Sequence, residues 1–182
     1  EKAIKARLMY GISGQPYQNY LNDLALSKNE DGGYGLLPGY PSDVLTTLDA
    51  ALAMYVIGTS TQNLLPQALY YISNQIPANG AMKYSSEGDP SYYLINRTAQ
   101  YLYPFRKLAV GSSPNLISIQ NKIDALLSYL SSQYDSANNK LFGTDDIIDE
   151  LMTAQTWQIY EQQNANTISL KSKLVMLQNG DG

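Results

Sequence analysis

The chain has 182 residues, 44% of them apolar and 15% charged, with a net charge of −4 and a sequence pI near 4.7. That composition specifies a globular chain long enough for one domain with its own core, and its scattered Lys and Arg residues form no basic stripe for a nucleic-acid backbone. Cys and His are both absent, which excludes a thiol nucleophile, a Ser-His-Asp triad, a Cys/His zinc site and any disulfide framework.

No apolar run approaches the roughly 18 residues of a membrane span. The first residue is Glu1 and not Met, so the expectation is a processed or excised piece of a larger protein, any signal peptide already removed. Sixteen tyrosines among few charges and much Asn, Gln and Ser point to a secreted or cell-surface bacterial module.

In chain order, Glu1 to Tyr10 reads as a helix that Gly11 and Gly14 end. Pro16 opens a second helix carrying Tyr17, Tyr20, Leu21, Leu24 and Ala25 at three-to-four spacing. The stretch Lys28 to Gly35, with Gly32, Gly33 and Gly35, turns the chain back. Ser42 is expected to cap a helix over Asp43 to Ile57, closed by Gly58. The next helix spans Leu64 to Ile76 with Pro66 in its first turn, and Pro77 to Pro90 is a turn-rich loop. Ser91 caps a helix running to about Ala109, kinked at Pro104 and ended by Gly111. Ser113-Pro114 opens a helix to about Gln133, Asp135 to Gly143 is a loop, and Thr144 caps a helix to about Gln163. A last helix covers about Thr167 to Leu177.

The helix stops Gly11, Gly58, Gly111 and Asn164 stand 47, 53 and 53 residues apart. Thr98-Ala99-Gln100 and Thr153-Ala154-Gln155 stand 55 apart, with Thr47 51 residues before the first. A period near 50 with two helices per unit predicts one all-α domain over residues 1–182, made of about four stacked helical hairpins. The helices starting at Asp43, Tyr92 and Asp145 carry small residues that permit close packing on both sides and form the expected inner layer. Those starting near Leu64 and Asn115, polar on one face, form the outer one.

Asn29-Glu30-Asp31-Gly32-Gly33-Tyr34-Gly35, followed by Pro38-Gly39, Ser42-Asp43, Thr47 and Ala50-Ala51-Leu52, resembles the repeat of the terpenoid cyclase and protein prenyltransferase α/α-toroid superfamily. The turns Asn79 to Tyr84 and Asn138 to Gly143 resemble it less closely. The resemblance implies concentric inner and outer helices with a pocket where the inner helices begin. A complete toroid of that superfamily has about six pairs, so about four pairs imply an open ring, a ring with two pairs outside this piece, or one completed by a partner. Its catalytic sets do not carry over. The prenyltransferase zinc ligands include Cys and His, the thioester branch needs Cys, and the cyclase Asp-x-Asp-Asp motif has only Gly143-Thr144-Asp145-Asp146 as its counterpart.

Candidate site residues follow from the residue types themselves. Asp145, Asp146, Asp149 and Glu150 are the densest acidic cluster. Paired carboxylates suit proton donation, but at a helix start they also complement the dipole, and the second reading is preferred. Asp31-Gly32-Gly33 lacks the Gly-Lys-Ser/Thr ending of a phosphate loop, and Asn179 to Gly182 lacks the ligands of a calcium loop. Tyr34 and Phe142 are expected to plug their turns, and Trp157 to lie in the core. Tyr40, Tyr84, Tyr92 and Tyr93 are left as aromatic ligand contacts, with Asp43, Asn96, Arg97, Asp145 and Asp146 as polar partners; Gln100 and Gln155 are further anchors. No cofactor, metal or catalytic residue is assigned.

The expected function is a non-catalytic module binding a small molecule, a glycan, a protein or neighbouring modules at the loop end of the inner helices. The alternative is a carbohydrate-active lyase or hydrolase of this architecture, or a divergent cyclase, with Asp43, Asp145 or Asp146 as acid and Tyr92 or Arg97 assisting.

Overall fold

In the first turn the side chains bond back to the chain that surrounds them. A computed structural model describes residues 22–57, 64–138, 140–144, 146–160 and 165–180. The expectations for Glu1 to Leu21, Gly58 to Asn63, Asn139, Asp145, Glu161 to Asn164 and Asp181 to Gly182 lie outside these residues. Residues 22–26 are helical, and the chain then reverses through bonds from Asn29 N–H to Gly33 C=O and from Gly35 N–H to Ser27 C=O, 2.9 and 3.0 Å. Asp31 Oδ1 accepts from Gly33 N–H and from the Ser42 hydroxyl, at 2.9 and 2.8 Å, while Asn29 Nδ2 donates to Tyr40 C=O. Gly32 has φ +85°, which only glycine adopts without strain, and a Cβ on Gly35 would fall 2.3 Å from Tyr40 C=O. The closed turn holds Tyr34 fully buried, its N–H donating to Thr47 Oγ1 at 2.9 Å.

Helix α1 is Val44–Ile57 and α2 is Leu64–Gln75. Asp43, not Ser42, caps α1, accepting from Thr46 N–H at 2.8 Å, because Ser42 is already spent on Asp31 and Asn29. The two helices pack on each other, and Tyr71 ties α2 to the turn by donating to Ser42 C=O at 3.0 Å. Leu48, Ala51 and Met54 of α1 are buried, as are Ala68, Leu69 and Ile72 of α2. Strands β1 (Ala109–Val110) and β2 (Ile117–Ser118) pair antiparallel, with Ala109 opposite Ser118, and β1 lies against α2. Contacts divide the chain into two compact units. One holds the described residues of Glu1–Gln75 with Leu108–Ile119, the other Ile76–Lys107 with those of Gln120–Gly182.

In the second unit, Ser91 caps α3 (Tyr92–Leu102), its hydroxyl accepting from Leu94 N–H. The expected kink at Pro104 is instead the end of the α-helix. Proline has no N–H for the ladder, and the chain tightens into a 3-10 turn, Tyr103–Phe105. Gly111, at φ +108°, belongs to the turn between β1 and β2 and not to a helix end, and Ser113-Pro114, a cis bond, lies in that turn and does not start a helix. The following helix, α4 (Ile119–Ser132), begins five residues later and buries Ile119, Ile123, Leu126, Leu127 and Leu130 as one stripe. Strands β3 (Tyr134–Asp135) and β4 (Lys140–Leu141) form a hairpin inside the expected loop. Helix α5 is Ile147–Ile159, capped by Asp146 and not by Thr144, and α6 is Ala165–Gly180. The described residues are therefore mostly helical, with two minimal hairpins.

The turns repeat in their bonding. Gly35 N–H to Ser27 C=O has its counterpart in Phe142 N–H to Gln133 C=O. Asp43 N–H to Tyr34 C=O has its counterpart in Ser91 N–H to Met82 C=O. Tyr34, Met82 and Leu141 therefore hold the same place, and all three are buried. Phe142, expected as the plug, is half exposed; the β3–β4 pairing gives the inward position to Leu141. Thr98 and Thr153 share a register, each seven residues past its cap, whereas Thr47 stands four past Asp43, one helical turn early.

Candidate functional site

Helices α3 and α5 pack side by side through a buried polar seam. Asn96 Nδ2 donates to Thr153 Oγ1 at 2.9 Å, and Thr156 Oγ1 donates to Asn96 Oδ1 at 2.7 Å. Gln100 Nε2 donates to Thr156 Oγ1 at 3.0 Å, and Tyr160 donates to Ala99 C=O at 2.6 Å. Partner numbers rise together along the two helices, so they run parallel, with their capped N-termini at the same end. Asn96, expected to face a ligand, is fully buried and satisfied within this seam. Trp157 lies in the core beside Tyr134, ring centroids 5.7 Å apart, as expected.

The carboxylates at the capped end are already employed. Asp146 Oδ1 accepts from Ile148 N–H at 2.8 Å. Thr144 bridges, its hydroxyl accepting from Asp146 N–H and donating to Asp149 Oδ2 at 3.1 Å. Burial raises the Asp149 carboxyl above its ordinary range; the Thr144 bond opposes this and the Asp146 charge adds to it. Glu150, almost wholly buried, pairs with Lys173 of α6 at 2.6 Å. Tyr92, expected as a ligand contact, is buried, and its hydroxyl donates to Phe142 C=O. Burial, with Tyr129 and Asp149 nearby, pushes it up to about 12. In the other unit Asp43 is likewise spent on capping α1.

The exposed and half-buried residues of α3 and α5 gather on one side of the layer. At about 100° per residue, Tyr93, Arg97 and Tyr101 lie to one side of the row by which α3 meets α5. Exposed Ile148, Leu151 and Gln155 lie to the opposite angular side of the matching row on α5. In a parallel pair those two directions coincide, so the six residues share a face. Arg97 is held between two rings there, 4.9 Å from the Tyr101 centroid and 5.9 Å from that of Tyr93. Among the described residues its guanidinium meets no acid. The loops leading into α1, α3 and α5 also carry exposed apolar residues: Leu36, Leu37 and Tyr40 before α1, Tyr84 before α3, Phe142 before α5.

Of the expected site residues, Tyr93 and Arg97 are brought together and exposed or half-buried. Tyr40 and Tyr84 are exposed on their loops. Tyr92, Asn96, Asp43 and Asp146 serve the fold, and Gln155 is exposed while Gln100 is in the seam. Tyr101, Ile148 and Leu151 complete the face without having been singled out, although Tyr93, Arg97 and Tyr101 recur at the four-residue spacing that signals one helix side. Among the described residues no helix is long and apolar enough to cross a membrane, and no group of three acidic side chains could hold a metal ion. Comparison with protein-family models, with curated proteins and with solved structures finds no match.

Proposed function

We propose that the chain is a non-catalytic repeat module of a larger extracellular or cell-surface bacterial protein. In this reading its hairpins continue as an open α/α-toroid, and the loop end and free face of the inner helices bind a ligand or partner. The observation that carries the reading is the α3–α5 face: a ring-stacked Arg97 without an acidic partner among the described residues, flanked by exposed Ile148 and Leu151. An arginine whose guanidinium lies over two tyrosine rings is partly ordered before binding and loses less freedom on meeting a planar acceptor. The parallel α3–α5 packing supports the hairpin repeat, and the tyrosine-rich, charge-poor composition supports the surface location.

Asp149 is the one observation favouring the rival enzyme, since a carboxyl raised by burial suits a general acid. Its oxygen is bonded to Thr144, which argues for structure. Native mass spectrometry of the purified chain tests the leading reading. A retained small molecule or a defined assembly is expected. A bare monomer overturns it, and turnover of a saccharide that Asp149→Asn abolishes would favour the enzyme.

A further inference from the structure

In the first unit an open cleft of about 640 Å³ lies between the Lys28–Gly32 turn, the first turns of α2 and the turn after β1. Two of its walls are bare backbone. A Cβ on Gly32 would lie 3.1 Å from Gln67 C=O, and one on Gly111 would lie 2.5 Å from Asn115 C=O and 3.4 Å from Tyr70 Cε2. Both glycines have positive φ, so the chain approaches closely and the Tyr70 ring, 39% exposed, is left uncovered. Around that ring stand Lys28, Glu30, Gln67, Ser112 and Asn115. Among the described residues none of these side chains is engaged in a hydrogen bond or ion pair, in contrast to Asp31 beside them, whose Oδ1 serves Gly33 and Ser42.

We propose that this cleft is a binding site for a neutral pyranose unit of a glycan, stacked on Tyr70 and held by the surrounding amides, carboxylate and ammonium. The inference is independent of the α3–α5 face. A pyranose offers a C–H face to an aromatic ring and a rim of hydroxyls, each both donor and acceptor. Gln67 and Asn115 supply both functions, Glu30 accepts, and Lys28 donates. Lys28 stands against Glu30 and Asp31, so the lining does not favour an anion, and Asp31 Oδ1 is already held by Gly33 and Ser42. An apolar ligand would strip water from these groups and return no hydrogen bond. The volume falls within the roughly 300–1,000 Å³ of small-ligand sites and takes one or two sugar units of a longer chain.

The test is a titration of the ¹⁵N-labelled chain with maltotriose, cellotriose, chitotriose and mannotriose, each to about 10 mM, a range that detects even weak millimolar binding. At least one trisaccharide is expected to shift the amides of Gly32, Gln67, Gly111 and Ser112. Tyr70→Ala and Gln67→Ala should each weaken that binding about tenfold. Both side chains are exposed, so the variants should melt with the wild type, and Arg97→Ala should bind as the wild type does. Absence of shifts with all four sugars overturns the proposal. So does unchanged affinity in the folded Tyr70→Ala variant.

Discussion

Thr98 and Thr153 occupy the same register of parallel helices, and both are fully buried, yet their hydroxyls differ. Thr153 accepts from Asn96, whereas Thr98 Oγ1 has no partner among the described residues. An orphaned buried hydroxyl costs desolvation with no return. Thr98→Val is therefore expected to stabilise by about 1 kcal/mol, and Thr153→Val to destabilise by about 1–3 kcal/mol because Asn96 Nδ2 loses its acceptor. Urea unfolding checks both; a Thr98→Val chain less stable than the wild type would mean that the hydroxyl has a partner. The Thr-Ala-Gln spacing made this register legible in the sequence. The roles within it were not legible, because they depend on a residue 57 positions away. The plug of the third turn was misplaced for a related reason. Aromatic residues mark the first turn, but here Leu141 is the inward residue of the two-residue strand β4, and Phe142 follows the strand with half its surface exposed.

Among the elements, the helix cores follow the sequence and the boundaries shift wherever capping chemistry competes. Ser42 and Thr144 are good caps in isolation, but each bonds a neighbouring aspartate, and Asp43 and Asp146 take the cap positions. At the start of α5 the fold holds the Asp149 proton more tightly than the unfolded chain does, because burial raises that carboxyl. Its contribution to stability is greatest below the ordinary carboxylate range and falls as pH rises towards its raised value. Asp149→Asn keeps an acceptor for Thr144 and removes that fall. The variant is expected to match or exceed the wild type in stability at neutral pH, with the difference closing below about pH 4. Denaturation at the two pH values decides it, and a variant weaker at neutral pH would show the charge in use. One turn on, Glu150 and Lys173 join α5 to α6. Lys173→Met leaves a buried carboxylate alone and should cost about 3 kcal/mol, more than the paired change Glu150→Leu with Lys173→Met. Equal losses would mean that the pair contributes nothing beyond its packing.

For the molecule as a whole, the predominantly helical content was legible because apolar stripes recur at helical spacing, whereas of the stops that set the period Gly111 lies in a turn between strands and Gly11, Gly58 and Asn164 lie outside the described residues. The candidate surface was legible in part. Residue type nominated Tyr93 and Arg97 as ligand contacts, and these lie together on α3, one exposed and one half-buried; it also nominated Tyr92, Asn96 and Asp146, whose polar groups the fold itself uses. A polar residue on a packed helix can face solvent or a second helix, and the two choices differ by about one residue step of 100°. The account rests on the free face being the one that binds. Native mass spectrometry of the wild type beside a Tyr93→Ala, Arg97→Ala variant of equal melting temperature tests this most directly. A bound species or assembly present in the wild type and lost in the variant is the predicted result. A wild-type chain that flies bare and monomeric, or a variant that retains everything the wild type carries, would contradict it.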